Sequence, residues 1–245
     1  MTESEKFIHD FFRQTRYAPG AMPAGSEGAP APPFKSYSAA PRVPLIVPSG
    51  KQMSRLFRTI AERRSVRGFA DAPISLAQLS QLAWATQGIT FRKGDVLLRA
   101  APSAGAGYPV ETYIAVNRCD EIDAGLFHLD VEEFSLEQLK RGPIGMALAD
   151  ACLGQKFITS CSVVFIWTAV YKRVMWRYGK RGLRYILMDA GHIGENLHLA
   201  GTALGLGCCA VGAFYDEEVT ALLELDGKDE FPVYLSAVGV PGRVR

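Results

Sequence analysis

Apolar positions along the chain follow two rhythms, a spacing of three and four residues and short unbroken β-prone runs. The first rhythm predicts helices over residues 3–14, 52–62, 75–88, 144–153, 183–204 and 216–225. Phe7, Phe11 and Phe12 make the apolar face of the first. The third opens with a capping box, Ser75 with Gln78, just behind Pro73; its stripe is Leu76, Leu79 and Ala83, and Gly88 ends it. Asp216 is placed to N-cap the last. The second rhythm predicts strands over residues 110–116, 125–130, 162–170, 208–214 and 233–240. The unbroken run at 162–170 suits a central strand covered on both faces.

The helix over 183–204 carries Leu187, Ala190, Gly194, Leu197, Gly201 and Leu204 on one seam, widened by Ile186, Ile193 and Ala200. Glycine in a helix interior costs about 1 kcal/mol relative to alanine. Two on one seam therefore suggest that another backbone approaches closely, in a core or at a subunit interface.

Residues 18–50 are rich in Pro, Ala, Gly and Ser and show little periodicity. This divides the chain into an N-terminal arm, residues 1–50, and a folded domain, residues 51–245. A hydrophobic content of 48% allows a sizeable core, and a net charge of +2 argues against nucleic acid or a membrane surface as partner. No run approaches the roughly 18 apolar residues that would span a bilayer. Five cysteines without a CxxC pair favour a reduced compartment, and Cys208-Cys209 lies in an apolar run suited to packing. With no apolar leader in the opening residues, the expected location is the cytoplasm.

Three segments carry candidate chemistry. Arg63-Arg64-Ser65-Val66-Arg67 directly follows a helix, and guanidinium forks with a hydroxyl suit a phosphate. Pro102-Ser103-Ala104-Gly105-Ala106-Gly107-Tyr108 is small enough to let a flat ligand approach its backbone. Asp189-Ala190-Gly191-His192 opens a helical run that ends in Gly205-Leu206-Gly207. Singly, each has an ordinary explanation: a solvated basic turn, a plain loop, a core histidine. Gly205 and Gly207 follow a helix instead of opening one, which argues against a dinucleotide or methyltransferase fingerprint. His192 and His198 do not share an i, i+4 face, so no metal is indicated. A G-x-S-x-G elbow is missing, as is a Walker-type loop.

Taken in order, Arg-Arg-Ser-x-Arg, Pro-Ser-x-Gly and the Gly-His-x-x-x-Asn helix ending in Gly-Leu-Gly resemble the nitroreductase-like FMN-dependent oxidoreductases. Within them the chain looks most like the SagB-type dehydrogenases, relatives of the thiazoline and oxazoline oxidising subunits. The resemblance runs from Pro33-Phe34-Lys35-Ser36-Tyr37 to Pro241. It implies an α+β fold with a central, mostly antiparallel sheet flanked by helices, in an intertwined homodimer holding FMN between subunits. It implies that Arg63, Arg64, Ser65 and Arg67 hold the phosphate, ribityl chain and one ring edge. Pro102, Ser103, Ala104 and Gly105 would lie against the ring from the other subunit. Gly207, Val211 and Gly212 would sit near N5, with Arg243 a further phosphate ligand. In the azoline-oxidising relatives a Lys-Tyr pair before the long helix moves protons. Here the pair is Arg177-Tyr178. Arginine stays charged and makes a poor base, so Arg177 is a candidate for binding an anionic substrate or a nicotinamide phosphate, while Tyr178 remains a proton donor or acceptor. The implied activity is hydride transfer through flavin N5 with a small-molecule or peptide-derived substrate. The alternatives are an NAD(P)H-dependent nitro or quinone reductase, with NAD(P)H as co-substrate, and a non-catalytic flavin-binding protein.

Overall fold

The computed structural model describes residues 1–21, 53–94 and 96–242, together with Phe34, Pro44, Leu45 and Val47. Its elements in chain order are α1 (Glu3–Thr15), α2 (Arg55–Glu62), α3 (Leu76–Gln87), β1 (Ile89–Lys93), β2 (Val96–Arg99), β3 (Val110–Val116), β4 (Gly125–Asp130) and β5 (Ser135–Arg141). There follow α4 (Gly145–Ala151), α5 (Phe157–Ser160), β6 (Val163–Val170), α6 (Lys172–Tyr178), α7 (Gly182–Ala203), β7 (Gly207–Val211), α8 (Asp216–Leu222) and β8 (Glu230–Gly239). Six strands form an antiparallel sheet in the order β5-β4-β3-β6-β8-β7, and β1 and β2 form a separate hairpin.

β6 organises the core because its run is apolar on both faces. Val163 pairs with Val116 of β3 on one side and Val238 of β8 on the other. Alternate residues of a strand face opposite ways. Val163, Phe165 and Trp167 therefore pack under α3 and α7, against Leu79, Leu82, Ile193 and Leu197. Val164 and Ile166 meet Leu148 of α4, Ile158 of α5 and Val219 of α8 on the reverse face. Each such side chain contributes about 1.5–3 kcal/mol on full burial. Shifting β6 by one residue would exchange the two faces.

The two seam glycines of α7, Gly194 and Gly201, admit side chains of the sheet beneath, which corrects the expected backbone approach. A Cβ at Gly194 would lie 3.0 Å from the Tyr234 ring, and one at Gly201 would overlap Cys208 Sγ. Leu187 turns away from this seam and is exposed, and so is His192. The buried histidine is His198, whose Nε2 lies 3.4 Å from Ser236 Oγ.

Several boundaries shift. Strand β7 stops at Val211, short of Phe214. Tyr215 takes the N-cap position of α8, and Asp216 instead accepts a hydrogen bond from the Tyr17 amide at 3.1 Å. That bond, a bridge between Tyr17 and Tyr215, and an ion pair between Arg16 and Glu217 tie the end of α1 to the body. α1 packs fully buried Ile8 against Ala169, Tyr171 and Phe231. The region around Pro33–Tyr37 lies outside the described residues except for Phe34, as does the predicted helix start at Gln52. No helix among the described residues is long and apolar enough to cross a membrane.

Candidate functional site

The basic segment leaves α2 at Arg63, the C-cap, and runs beside the edge strand β7. Ser65 bridges Cys208, and the Val66 amide donates to the Cys208 carbonyl at 2.8 Å. This approach requires Gly207, where a Cβ would lie 2.7 Å from a Val66 methyl. Val66 thus turns inward, and the alternation of extended backbone sends Ser65 and Arg67 outward; both are exposed. Arg64 Nη1 donates to the carbonyls of Ala61 at 2.9 Å and Arg63 at 2.7 Å. Among the described residues Arg63, Arg64 and Arg67 have no carboxylate partner. Beneath them, burial pushes the pKa of His198 down, opposed by Glu195 and assisted by the positive charge of Arg63. Val211 and Gly212 lie at the far end of β7, roughly 10 Å along the strand from Cys208 at about 3.4 Å per residue. Gly212 is exposed with open space around it.

A second cluster forms around residues 102–108. Ser103 Oγ donates to Asp189 Oδ2 of α7 at 2.6 Å and accepts from the Tyr108 amide at 2.9 Å. Asp189 is buried, and burial raises its pKa against the opposing bonds from Ser103 and the Ala104 amide. Gly105, Ala106 and Tyr108 all have positive φ, +59°, +52° and +41°, and for the two non-glycine residues such a conformation persists only where surroundings over-determine it. Tyr108 supplies much of that constraint. Its hydroxyl accepts from the Arg99 amide at 3.0 Å, its carbonyl accepts from Arg173 Nη1 at 3.1 Å, and the Arg99 guanidinium lies 4.6 Å from its ring centre.

Gly105 also meets the two residues expected to do chemistry. A Cβ there would overlap Tyr178 Oη and lie 3.0 Å from Arg177 Nη1. Arg177 is exposed, and its guanidinium lies 5.5 Å from the Tyr178 ring centre.

The structure therefore sets Arg63, Arg64, Ser65 and Arg67 beside Gly207, leaves Val211 and Gly212 at the other end of β7, and joins Pro102, Ser103, Ala104 and Gly105 with Arg177 and Tyr178. It does not merge the two groups within one chain. The α7 residues beneath them, His198 and Asp189, are nine positions apart, about 14 Å at 1.5 Å per residue. Arg243 lies outside the described residues. Sequence reasoning assigned no role to Arg99, and none to Asp189 beyond its place in a candidate segment; an acid beside an apolar helical stripe was the one available signal for Asp189.

An antiparallel sheet with helices on both faces, carrying a basic loop on its edge strand and a small-residue loop on the long helix, defines an α+β protein of the nitroreductase fold. The chain belongs to the nitroreductase family, whose profile matches residues 60–240. It is 37% identical over 185 residues to a protein of Methanocaldococcus jannaschii named as a nitroreductase, a match covering 76% of this chain and 90% of that one. It is 31% identical over 143 residues to the trifolitoxin-processing protein TfxB of Rhizobium leguminosarum bv. trifolii, covering 56% of this chain and 38% of TfxB. The fold also matches a chain of the E. coli microcin synthetase McbBCD complex, solved with truncated pro-MccB17 bound. The TM-score is 0.75 and the identity 18%, with 98% of this chain and 94% of that chain covered.

Proposed function

We propose that the protein is an FMN-dependent oxidoreductase acting as a homodimer, of the SagB-type dehydrogenase branch. The observation that carries this reading is the contact between Gly105 and the Tyr178 hydroxyl, which puts a proton-bearing group against a loop able to receive a flat ring. The residues present fit FMN. Guanidinium groups without carboxylate partners suit its phosphate, and Gly212 has open space around it where a ring could approach the backbone. The separation of the two groups along α7 fits a site completed by a second subunit. The likeness to TfxB and to a chain of the McbBCD complex supports a peptide-derived substrate.

FMN, when bound, supplies two-electron chemistry with hydride transfer at N5. The chain's own residues hold and orient. Arg63, Arg64, Ser65 and Arg67 bind the phosphate end, with Arg243 joining them. Val211 and Gly212 would border the N5 region and Pro102, Ser103, Ala104 and Gly105 the ring, while Gly207, covered by Val66, would seat the basic segment against β7. The Tyr178 hydroxyl, donor and acceptor both, holds or passes the proton that accompanies hydride transfer. Arg177, permanently charged, orients an anionic group instead of acting as base.

That same arginine favours a second reading, an NAD(P)H-dependent nitro or quinone reductase. Purified protein should be yellow and bleach on reduction. Replacing Arg67 by Gln should weaken flavin retention by about ten- to a hundredfold, as expected for a hydrogen bond to a charged group worth about 1.5–3 kcal/mol. Stopped-flow assays with NADH, NADPH, quinones and a thiazoline peptide separate the two enzyme readings. A colourless protein that refuses added FMN rejects both.

A further inference from the structure

The span from Lys172 to Met188 holds six cations, Lys172, Arg173, Arg177, Lys180, Arg181 and Arg184, and no acid, in a chain whose net charge is only +2. The fold neutralises half of them with carboxylates from elsewhere. Lys172 pairs with Asp229, Arg173 with Glu111 and Lys180 with Glu3. Arg177, Arg181 and Arg184 receive no carboxylate among the described residues and are exposed.

Two of these are braced by aromatic rings. Arg177 lies 5.5 Å from the ring centre of Tyr178, and Arg181 lies 5.7 Å from that of Tyr185. The two tyrosines meet edge to face with centres 4.8 Å apart. Arg181 Nε donates to the Tyr185 hydroxyl at 3.1 Å, which orients its fork and leaves the terminal nitrogens open. Guanidinium groups held on aromatic faces lose less freedom when they bind. Their fork matches the oxygens of a carboxylate or phosphate. Arg177 connects this patch to Gly105, since its Nη1 would lie 3.0 Å from a Cβ there.

We infer that Arg177 and Arg181, braced by Tyr178 and Tyr185, form a docking site for the carboxylate or phosphate of a molecule whose reacting part lies beside Gly105. This deepens the proposed function, because it rests on Gly105 bordering the redox centre, and it names an anionic substrate or co-substrate with Arg181 as a specificity-determining residue.

Calorimetric titration of the FMN-supplemented protein tests it. The probes are 2′,5′-ADP for phosphate and 4-nitrobenzoate for carboxylate, beside their uncharged counterparts adenosine and nitrobenzene. At least one anion should bind about tenfold more tightly than its counterpart. Arg181→Gln should remove most of that margin, and Arg181→Lys should restore part of it. Preference for the phosphate probe points to a nucleotide co-substrate, and preference for the carboxylate probe to an acidic substrate. No preference in either pair, or a preference that survives Arg181→Gln, overturns the inference. Flavin absorbance on the same samples keeps the two failures apart. A yellow protein without the anion preference rejects this site alone, and a colourless one that binds anions through Arg181 rejects the flavin reading alone.

Discussion

The Ser103 hydroxyl hydrogen-bonds the buried Asp189 carboxylate at 2.6 Å, joining the loop over residues 102–108 to the middle of the long helix. The same hydroxyl accepts from the Tyr108 amide, so one oxygen sets both the loop's anchor and its curvature.

Ser103→Ala should therefore destabilise the protein by about 1–3 kcal/mol, the cost of leaving buried polar groups unpaired. The deficit should depend on pH. Burial already raises the folded-state pKa of Asp189 above its ordinary value. Its contribution is most favourable below the unfolded carboxylate pKa and is lost as pH rises through the folded value. Loss of a donor raises that value further. Urea unfolding at pH 4.5 and pH 7 should show the larger deficit at pH 7, and an equal or reversed difference would refute the role.

Gly105→Ala places a methyl group where Tyr178 Oη now sits, at a backbone position with φ +59°. The left-handed conformation alone costs a non-glycine residue about 1–2 kcal/mol. Displacement of the hydroxyl should reproduce the turnover loss of Tyr178→Phe, about a hundredfold if it moves a proton in the transition state. Steady-state rates of the two variants and their combination check this. Losses that simply multiply would mean that the two positions act independently.

His128 lies between two carboxylates, with Nδ1 2.8 Å from Glu137 and Nε2 3.1 Å from Glu111. Glu111 above all, with Glu137, outweighs burial and pushes its pKa up to about 9. Burial raises Glu111, but His128 and Arg173 more than offset this and hold it low. A raised histidine pKa stabilises the fold fully below the unfolded value of about 6.5 and ceases to do so above the folded one. Melting temperature should fall between pH 7 and pH 9.5, and His128→Gln should flatten that fall. A profile unchanged by the substitution would remove His128 as its cause.

Gly201→Ala gains helix propensity of about 1 kcal/mol but drives a methyl into Cys208 Sγ. Overpacking of a tight core costs about 1–3 kcal/mol, so net destabilisation is expected. Combining it with Cys208→Ala should cost less than the two changes summed. Additive denaturation midpoints would mean that the contact is not what excludes a side chain at this position.

Elements with a strong apolar rhythm were legible residue by residue. β3 and β4 match their predicted spans, and α3 keeps its Ser75 capping box and its end at Gly88. β1, β2, β5 and α6 were not legible. The three strands have no fully buried position, so no apolar run or inward face marks them. α6 is a short helix with only Val174 and Met175 buried, and it runs straight into a 3-10 turn at Gly179–Arg181.

The order of side-chain types along the chain was enough for naming the basic loop and the small-residue loop, while the antiparallel α+β architecture and the Arg-Tyr pair came from the family resemblance that those motifs carried. Periodicity and composition are local properties, and those features are local. Which groups meet was settled by folding. Ser103 finds Asp189 across 86 positions, Gly105 lies against Tyr178, and Gly207 receives Val66. Such contacts depend on how helices seat on the sheet, and no spacing along the chain encodes that. The same packing turned Leu187 outward and filled the glycine seam with Tyr234 and Cys208, because a helix buries only the face that its own sheet can reach.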